Sequence, residues 1–335
     1  MATIYEVAER AGVSLSTVSR VLNGKRSVNE ELKAKVDKAV LELDYRPSSV
    51  ARSLANNRSD SVGLLVSELS TPFFGEMMQS VESNLRAANK HVIITVGHND
   101  LAQEKDAVEF LISRNCDALI LHAEALSDET LSLINKNKIP LVLVNRLVPG
   151  MEDACICLNN EIGGYLSTKH LIDLGHKRIA YIAGPNKKAD ANDRLAGHKR
   201  ALKEAGIAFD LKLFYQGDFT EVGGSQGLSH FVESGTEFTA LVCANDWMAS
   251  GAMSRARDLT LKMPEELSIV GFDNVLFAHH VHPKLTTVNN PITEMGEMAA
   301  KSVLKRVYKQ NVNIRNVFDP ELVIRHSTSL PLTKT

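Results

Sequence analysis

From Ser61 onward, short apolar runs alternate with stretches whose apolar residues have helical spacing. The first series of runs is SVGLLV, HVIITV, DALIL and PLVLV, and the second is RIAYIA, LFYQG, ALVCA and LSIVGF. Strands that are apolar on both faces and separated by helices are typical of parallel sheets with right-handed crossovers. The two series therefore predict an α/β region of two lobes, each built on a parallel sheet that is buried on both faces.

Helices are predicted between these runs, at about residues 74–89, 102–114, 128–137, 162–174, 193–205, 223–234 and 247–259. A loop is expected after LSIVGF. The chain has 335 residues, of which 44% are hydrophobic and 23% charged. This length suggests two or three domains, and the composition is ordinary for a globular protein.

Residues 1–46 predict a separate head of three short helices. Thr3, Ser14 and Asn29 each precede a run with helical apolar spacing, and each can cap a helix. A turn at Gly12 joins the first two helices. This arrangement matches the helix-turn-helix, whose second helix enters the DNA major groove. A three-helix bundle used for protein contacts is the alternative interpretation.

The second predicted helix has an outer face that favours DNA. Leu15, Ser16, Ser19 and Arg20 point away from its apolar side. An exposed leucine at the start of a surface helix can contact a thymine methyl group, and Arg20 can bind guanine or a phosphate. The net charge of −2 does not by itself point to an anionic partner. The DNA prediction therefore depends on this helix pattern.

Polar and aromatic residues follow the predicted strands, where ligands bind in open parallel sheets. They are residues 70–74, His98, Asn99, His122, Asn145, Arg146, residues 190–194, Asp218, Phe219, Asn245, Asp246, Asp273 and Asn274. These side chains suit a neutral sugar, because paired hydroxyls need donors and acceptors and a pyranose ring has an apolar face. Some have structural interpretations as well: Asn145 and Asp246 can cap helices or form turns, Phe73 and Phe74 can be core, and His122 can be a buried imidazole.

The cysteines and the N-terminus predict a cytoplasmic protein. Cys116, Cys155, Cys157 and Cys243 have neither a C-x-x-C pair nor metal-ligand spacing, which is typical of reduced thiols. The segment MATIYEVAER has acidic residues where a signal peptide needs an apolar run. No stretch reaches the length of a membrane span. We therefore expect no metal, no cofactor, no export and no membrane anchoring.

Two motifs of common enzyme classes do not occur in the sequence. It has no G-x-x-x-x-G-K-[ST] phosphate loop and no H-E-x-x-H. The segment GGSQG at 223–227 lacks the full dinucleotide-binding spacing. We predict that the chain is not an enzyme, and a sugar-binding protein or an enzyme with an incidental head is the distant alternative.

Two segments at the N-terminal end carry a family resemblance. They are TIYEVAERAGVSLSTVSRVLNG and YRPSSVARSL, and they resemble the head and hinge of the lac repressor and gal repressor family of bacterial transcription regulators. Further segments, including TPFFGEMM, VNRLVPG, DRLAG, ANDWMASGAM and GFDNVLFAHHVHPKLTTV, resemble the galactose repressor and isorepressor branch. The resemblance covers essentially the whole chain, with a departure at Asn159, where the family more often has Asp. It implies a sensor similar to the type I periplasmic sugar-binding proteins.

For the head and hinge, the resemblance implies a set of DNA contacts. They are Tyr5, Ser14, Leu15, Ser16, Thr17, Arg20, Asn23, Asn29, Val50 and Leu54. Leu54 matches a leucine that wedges into the minor groove, which costs roughly a few kcal/mol of base unstacking; packing on the sensor is its alternative role. The segment RPSSVARSLANN is too short to be a stable isolated helix, so we expect two copies to become helical side by side only on DNA.

For the sensor, the positions after the strands give a set of expected effector contacts, and the resemblance supports Arg194, Asp273 and Phe219 among them. They are Phe73, Phe74, His122, Asn145, Asp190, Arg194, Phe219, Asn245, Asp246, Asp273 and Asn290. The expected function is repression of galactose-utilisation genes, with release from double-stranded operator DNA when D-galactose or a related sugar binds between the lobes. Another hexose, a β-glucoside or a nucleobase is the alternative effector, and a co-repressor role is also open.

The expected domain boundaries combine the strand series with the resemblance. Residues 1–46 form the head, 47–59 the hinge helix and linker, 60–160 with 290–319 the N-lobe, and 161–289 with 320–335 the C-lobe. The chain ends at PLTKT without the leucine heptads that build lac repressor tetramers, so a homodimer is expected.

Overall fold

A computed structural model describes residues 2–22, 29–46, 58–137 and 139–332 of the chain. The chain divides into two compact units, Met1–Asp60 and Ser61–Thr335. Each unit has a hydrophobic core of its own. No helix among the described residues combines the length and the apolar character that crossing a bilayer requires.

The described part of the first unit contains helices α1 (Ile4–Ala11), α2 (Leu15–Leu22) and α3 (Glu30–Glu42). Their N-termini are capped as the sequence predicts. Thr3 and Glu6 form a capping box, Ser14 Oγ accepts a hydrogen bond from the first turn of α2, and Asn29 Oδ1 accepts one from α3. Gly12 ends α1 with φ at +62°, a left-handed conformation that favours glycine.

The apolar faces of α1, α2 and α3 form the small core of this unit. Val7, Val18 and Val36 are fully buried, one from each helix. Burial of a valine side chain stabilises a fold by about 1.5–3 kcal/mol. The helical spacing of these residues therefore fixes which face of α2 is left for solvent.

The second unit contains two six-stranded sheets. The first sheet belongs to the N-lobe and contains β1 (Ser61–Val66), β2 (His91–Val96), β3 (Ala118–Leu121), β4 (Leu141–Val144), β5 (Cys155–Leu158) and β11 (Val317–Phe318). The second belongs to the C-lobe and contains β6 (Ile179–Ala183), β7 (Phe214–Gln216), β8 (Ala240–Cys243), β9 (Ser268–Asp273), β10 (Thr286–Asn289) and β12 (Glu321–Val323). The strand orders are β11-β5-β4-β3-β1-β2 and β12-β10-β9-β8-β6-β7.

Helices lie between the strands in chain order. They are α4 (Pro72–Ala87), α5 (Leu101–Ser113), α6 (Asp128–Asn137), α7 (Asn160–Asp173), α8 (Ala189–Glu204), α9 (Glu221–Glu233), α10 (Asp246–Asp258) and α11 (Ile292–Arg306). The predicted helices between the strands are all present, although α8 begins at Ala189, four residues before the predicted start at Asp193. Side chains of Asp100, Thr220 and Asn245 accept hydrogen bonds at the starts of α5, α9 and α10.

Several short elements were absent from the sequence prediction. They are β5, β10, β11 and β12, each of two to four residues; the longer helix α11 lies in a region for which the sequence predicted no element. Such short strands give little periodicity from which to recognise them. β12 also pairs antiparallel with β10, so the C-lobe sheet is mixed at one edge rather than wholly parallel.

Strand β2 is half exposed, although the sequence predicted strands buried on both faces. It lies at the edge of the N-lobe sheet, and its Ile94 is 42% exposed. An apolar run looks the same in the sequence whether its strand lies at the edge or in the centre of a sheet. The run shows which side chains are apolar, but it does not show how many neighbouring strands are present.

The chain passes between the two lobes three times. It leaves the N-lobe sheet at Leu158, returns after Asn289 to form α11, which packs against α4, and crosses again between Phe318 and Glu321. The residue limits of the individual domains stay predictions.

Helices α7 and α8 pack backbone against backbone through glycines. A Cβ atom at Gly164 would collide with the carbonyl group of Arg194, and one at Gly197 would collide with the carbonyl oxygen of Glu161. Neither obstacle is a flexible side chain that can move away. The two glycines therefore set the separation of α7 from α8 and, through it, the position of Arg194.

We predict that Gly164→Ala lowers the free energy of unfolding by about 3 kcal/mol, because the backbone of α8 must move away from α7. The matched control is Gly75→Ala in α4, where a Cβ meets no atom within 4 Å. The control should gain about 0.5–1 kcal/mol from helix propensity. Urea unfolding of both variants checks the difference, and equal stabilities would contradict the proposed packing constraint.

Candidate effector cleft and DNA-reading helix

A cleft of about 550 Å³, including its open mouth, lies at the carboxyl ends of the strands of both lobes. The residues that line it are Glu68, Thr71, Phe73, Phe74, His122, Glu124, Asn145, Lys188, Asp190, Arg194, Phe219, Asn245, Trp247 and Asp273.

Nine of the eleven predicted effector residues lie in the cleft wall. They are Phe73, Phe74, His122, Asn145, Asp190, Arg194, Phe219, Asn245 and Asp273. Their roles as effector contacts stay predictions. The rule that ligands bind beyond strand carboxyl ends brought these positions together, because each follows a strand or begins the next helix.

Arg194 is the most buried charge of the cleft wall, with 3% of its side chain exposed. Its Nε donates to Asn160 Oδ1 at 2.9 Å, and Nη1 donates to the carbonyl oxygen of Ala244 at 2.6 Å. The guanidinium lies 3.7 Å from the ring centroid of Phe272, and its Nη2 lies 3.5 Å from Asp273 Oδ1. Hydrogen bonds, a cation–π contact and a nearby carboxylate therefore offset the desolvation of this charge.

Asp273 and Asp190 place carboxylates on either side of Arg194. The Nη2 atom lies 3.8 Å from Asp190 Oδ2. Burial raises the pKa of Asp273 to about 6, although the neighbouring Arg194 acts to lower it. Asp273 is therefore ionised at neutral pH and can accept hydrogen bonds with both oxygens.

Three residues of the cleft wall have left-handed backbone conformations. The φ angles are +60° at Asn145, +69° at Phe219 and +106° at Asp273. Such conformations cost roughly 1–3 kcal/mol each in residues other than glycine, and they cluster at functional sites. The fold thus holds these side chains in the cleft at the expense of local strain.

Aromatic rings line both lobes of the cleft. In the C-lobe, Phe219 lies against Gly184, where any side chain would overlap the ring. In the N-lobe, Phe73 and Phe74 meet edge to face with ring centroids 5.2 Å apart, and Phe74 meets His122 at 4.9 Å. Aromatic faces of this kind can cover the apolar face of a pyranose.

His122 lies at the end of β3 and is 4% exposed. Its Nδ1 and Ser67 Oγ are 3.1 Å apart, and Ser67 Oγ donates to Asn99 Oδ1 at 2.6 Å. Burial lowers the pKa of His122, so the imidazole is neutral at physiological pH. A neutral ring can both donate and accept hydrogen bonds.

Two polar contacts connect the lobes across the cleft. Lys188 Nζ of the C-lobe lies 2.9 Å from Glu124 Oε2 of the N-lobe. Asn145 Nδ2 of the N-lobe donates to Asp190 Oδ2 of the C-lobe at 3.3 Å. A ligand between the lobes therefore lies beside groups whose contacts depend on how the lobes are arranged.

Asp246 and Asn290 are not among the residues that line the cleft, and their roles as effector contacts stay predictions. The Asp246 carboxylate is fully buried and accepts hydrogen bonds from Thr287 Oγ1 at 2.6 Å and from the backbone N–H of Val275 at 3.0 Å. Asn290 is 4% exposed, and its Nδ2 donates to Asp273 Oδ1 at 3.2 Å. Asn290 therefore supports Asp273 at the end of β9, and Asp246 supports the segment that follows it.

Thr71 lies in the stretch 70–74 that the sequence placed after a strand but was not a predicted effector contact, and four further wall residues were not predicted at all: Glu68, Glu124, Lys188 and Trp247. Each lies within two residues of a predicted position. The prediction took the residues next to each strand, and the loops extend the wall slightly further. A wider window after each strand would have included them.

In the head, the α2 surface matches the expected DNA-reading helix. Leu15 is 38% exposed, Ser16 and Arg20 are exposed, and Tyr5 of α1 is 69% exposed. The hydroxyl groups of Ser14 and Thr17, two further predicted contacts, are 2.9 Å apart. Ser14 and Asn29 also cap helices. The predicted contacts Asn23, Val50 and Leu54 lie outside the described residues, and all ten DNA contacts stay predictions.

A capped helix-turn-helix head and a two-lobed α/β unit with a polar, aromatic cleft together define a class of protein. Proteins of this class are DNA-binding regulators that respond to a small molecule. The head supplies a helix for the major groove, and the cleft supplies a ligand site between two movable lobes.

Comparison with known proteins identifies the family within this class. Residues 3–48 match the bacterial regulatory proteins of the lacI family, and residues 168–328 match the periplasmic binding protein-like domain. The chain is 41% identical over 332 residues to the HTH-type transcriptional regulator GalR of Escherichia coli strain K12, covering 99% of this chain and 97% of that protein. It is 36% identical over 331 residues to the ribose operon repressor of Haemophilus influenzae, covering 98% of each.

Among solved structures, the chain resembles the lac repressor dimer bound to operator and the anti-inducer ONPF. The TM-score is 0.87 with 29% sequence identity, and the match covers 98% of this chain and 99% of that one. The chain belongs to the lacI family and is a DNA-binding transcriptional repressor. Its relatives named above are transcriptional regulators and not enzymes.

We predict that Leu15→Ala weakens binding to operator DNA about fivefold while leaving the stability of the head unchanged. The reason is that Leu15 is exposed on α2, and the apolar contact to a base that is predicted for it would be worth about 1 kcal/mol. The matched control is Leu41→Ala, which removes a leucine that is 82% exposed on α3. Fluorescence anisotropy with an operator selected by the wild-type protein checks both variants. Equal losses in the two variants would remove Leu15 from base reading.

Proposed function

We propose that this repressor controls genes of sugar utilisation and that its effector is D-galactose or a closely related hexose. The supporting observation is the cleft, in which Asp190 and Asp273 flank the buried guanidinium of Arg194 beside the ring of Phe219. Carboxylates and a guanidinium bind paired hydroxyls through two parallel hydrogen bonds, and an aromatic face covers the opposite side of the sugar. The 41% identity to GalR supports the same assignment.

The charges of the cleft favour a neutral ligand over an anionic one. Its wall contains the carboxylates of Glu68, Glu124, Asp190 and Asp273, against the cations Lys188 and Arg194. Lys188 is paired with Glu124, and Arg194 is already surrounded by acceptors. A sugar phosphate or sugar acid would therefore enter a site with excess negative charge.

In this proposal, sugar binding releases the operator by changing the arrangement of the lobes. The Lys188–Glu124 and Asn145–Asp190 contacts join the lobes across the cleft, so a bound sugar changes the free energy of that arrangement. Complete switching needs an effector preference of about 10⁴-fold for the released state. The hinge prediction, with Leu54 as a minor-groove wedge, lies outside the described residues.

We infer that the repressor acts as a homodimer in the cytoplasm. The dimeric lac repressor structure, which matches 98% of this chain, supports the dimer. Its operator complex also supports a dimer that places two heads on one site, because half-sites spaced by a helical turn require two reading helices.

A second effector class is favoured by one specific observation. The ribose operon repressor is 36% identical over nearly the whole chain, so the family similarity spans different sugars. A repressor that responds to another hexose, a β-glucoside or a nucleobase would keep the same head and the same lobes. Its effector would differ, and that effector could act as a co-repressor that strengthens operator binding.

We predict that D-galactose weakens operator binding by a factor between about 5 and 150, the usual range of allosteric coupling. The measurement is an anisotropy titration of full-length protein on its operator with a panel of D-galactose, D-glucose, D-ribose, methyl β-D-glucoside and adenine. Operator affinity that no hexose changes would overturn the proposal. A response to one of the other compounds would replace galactose as the effector, and tighter binding would make that compound a co-repressor.

We predict that galactose affinity is constant above about pH 7 and falls as the pH drops below 6. The pKa of Asp273 is about 6, and its ionised form is the better acceptor for two hydroxyls. Sugar binding therefore favours deprotonation, and protonation competes with binding below the pKa. The control is Asp273→Asn, which should bind weakly and lose this pH dependence. Calorimetry between pH 5 and 8 checks both proteins, and the same slope in both would assign the titration to another group.

A further inference from the structure

Two solvent-shielded polar atoms in residues of the cleft wall have neither a hydrogen-bond partner nor an ion-pair partner among the described residues. They are Thr71 Oγ1 and Trp247 Nε1. Thr71 belongs to the N-lobe and Trp247 to the C-lobe. Buried polar groups are usually paired, so an unpaired one at a ligand site is a candidate for pairing with the ligand.

Thr71 precedes α4 at the position where a threonine normally caps a helix. Its side chain makes no capping hydrogen bond. Thr3 and Thr220 occupy the same position before α1 and α9, and both accept a hydrogen bond from the helix. The hydroxyl of Thr71 is therefore not used by the secondary structure that it begins, although its position would allow this.

Trp247 lies in the first turn of α10, and its ring meets Phe277 edge to face with centroids 4.9 Å apart. Phe277 belongs to the segment that follows β9, the strand that ends at Asp273. Asp246 fixes that segment by accepting a hydrogen bond from the backbone of Val275. The same supports therefore position Asp273 and the indole of Trp247, so both are held in place before a ligand binds.

We propose that Thr71 and Trp247 are effector contacts, one from each lobe, and that each donates a hydrogen bond to a different oxygen atom of the bound sugar. This assignment rests on the proposed function of the cleft as a hexose site. The indole N–H is a donor only, so the group it meets is a hydroxyl or ring oxygen and not an ammonium group. A sugar that satisfies both donors bridges the lobes and stabilises one arrangement of them.

Three variants of the full-length protein test the assignment. Trp247→Phe keeps an aromatic ring for the contact with Phe277 and removes the N–H, and Thr71→Val keeps the branched shape and removes the hydroxyl. Each should weaken galactose binding about three- to tenfold in calorimetry, the effect of one lost neutral hydrogen bond. Thr71→Ser keeps the hydroxyl and should bind galactose within about twofold of the wild type.

Monodeoxygalactoses distinguish a direct contact from a loss of packing. Trp247→Phe and the wild type should bind one monodeoxygalactose, or a derivative lacking the ring oxygen, with equal affinity, because the acceptor of the indole is then absent from both complexes. Thr71→Val should show the same equality for a different derivative. A uniform loss with every derivative would overturn the assignment, as would variants that bind galactose like the wild type.

Trp247 is the single tryptophan of the chain, so its emission provides a second readout. Galactose should change the emission of the wild type, with saturation at the concentrations found by calorimetry. Galactose binding without any change in emission would overturn the contact at Trp247 and leave the proposed function intact. A wild-type protein that binds no hexose would overturn the proposed function, and this assignment with it.

Discussion

The cleft depends on one buried positive charge, the guanidinium of Arg194. Removal of such a group from water costs several kcal/mol unless its surroundings replace the lost hydration. Here the replacements are the side chain of Asn160, the carbonyl oxygen of Ala244, the ring of Phe272 and the carboxylate of Asp273. They come from three places in the chain, namely the start of α7, the residue after β8 and the end of β9, so the site exists only when the C-lobe is folded.

The same charge is connected to the N-lobe through amide side chains. Arg194 donates to Asn160, Asn160 Nδ2 lies 3.4 Å from Asn145 Oδ1, and Asn145 donates to Asp190. Asp190 in turn lies beside Arg194. This ring of polar contacts includes Asn160 at the first crossing between the lobes. A ligand that contacts Asp190 or Arg194 therefore acts on groups whose partners lie in both lobes, which is the requirement for coupling a ligand site to lobe arrangement.

Much of this architecture is predictable from sequence, for physical reasons that also explain the failures. The caps Thr3 and Asn29 and the apolar spacing of α1 to α3 are local signals, and the structure contains them. β10 and β12 are short strands that depend on partners distant in the chain, so their own residues carry little signal. The positions of Arg194 and Asp273 follow from their places after strands. Asp246 also follows a predicted strand, but its side chain points towards Thr287 and not into the cleft. The spacing of apolar residues in the sequence gives no information on the direction of that side chain.

The central claim is that sugar in the cleft and operator DNA on the head favour different arrangements of the same protein. Binding of one therefore weakens binding of the other. Reciprocity is the most direct consequence, because coupled sites must affect each other by the same factor. The decisive measurement is the galactose affinity of the full-length protein, free and saturated with operator DNA, determined by calorimetry. We predict that operator weakens galactose binding by the same factor by which galactose weakens operator binding. Equal galactose affinities in the two states would contradict the account.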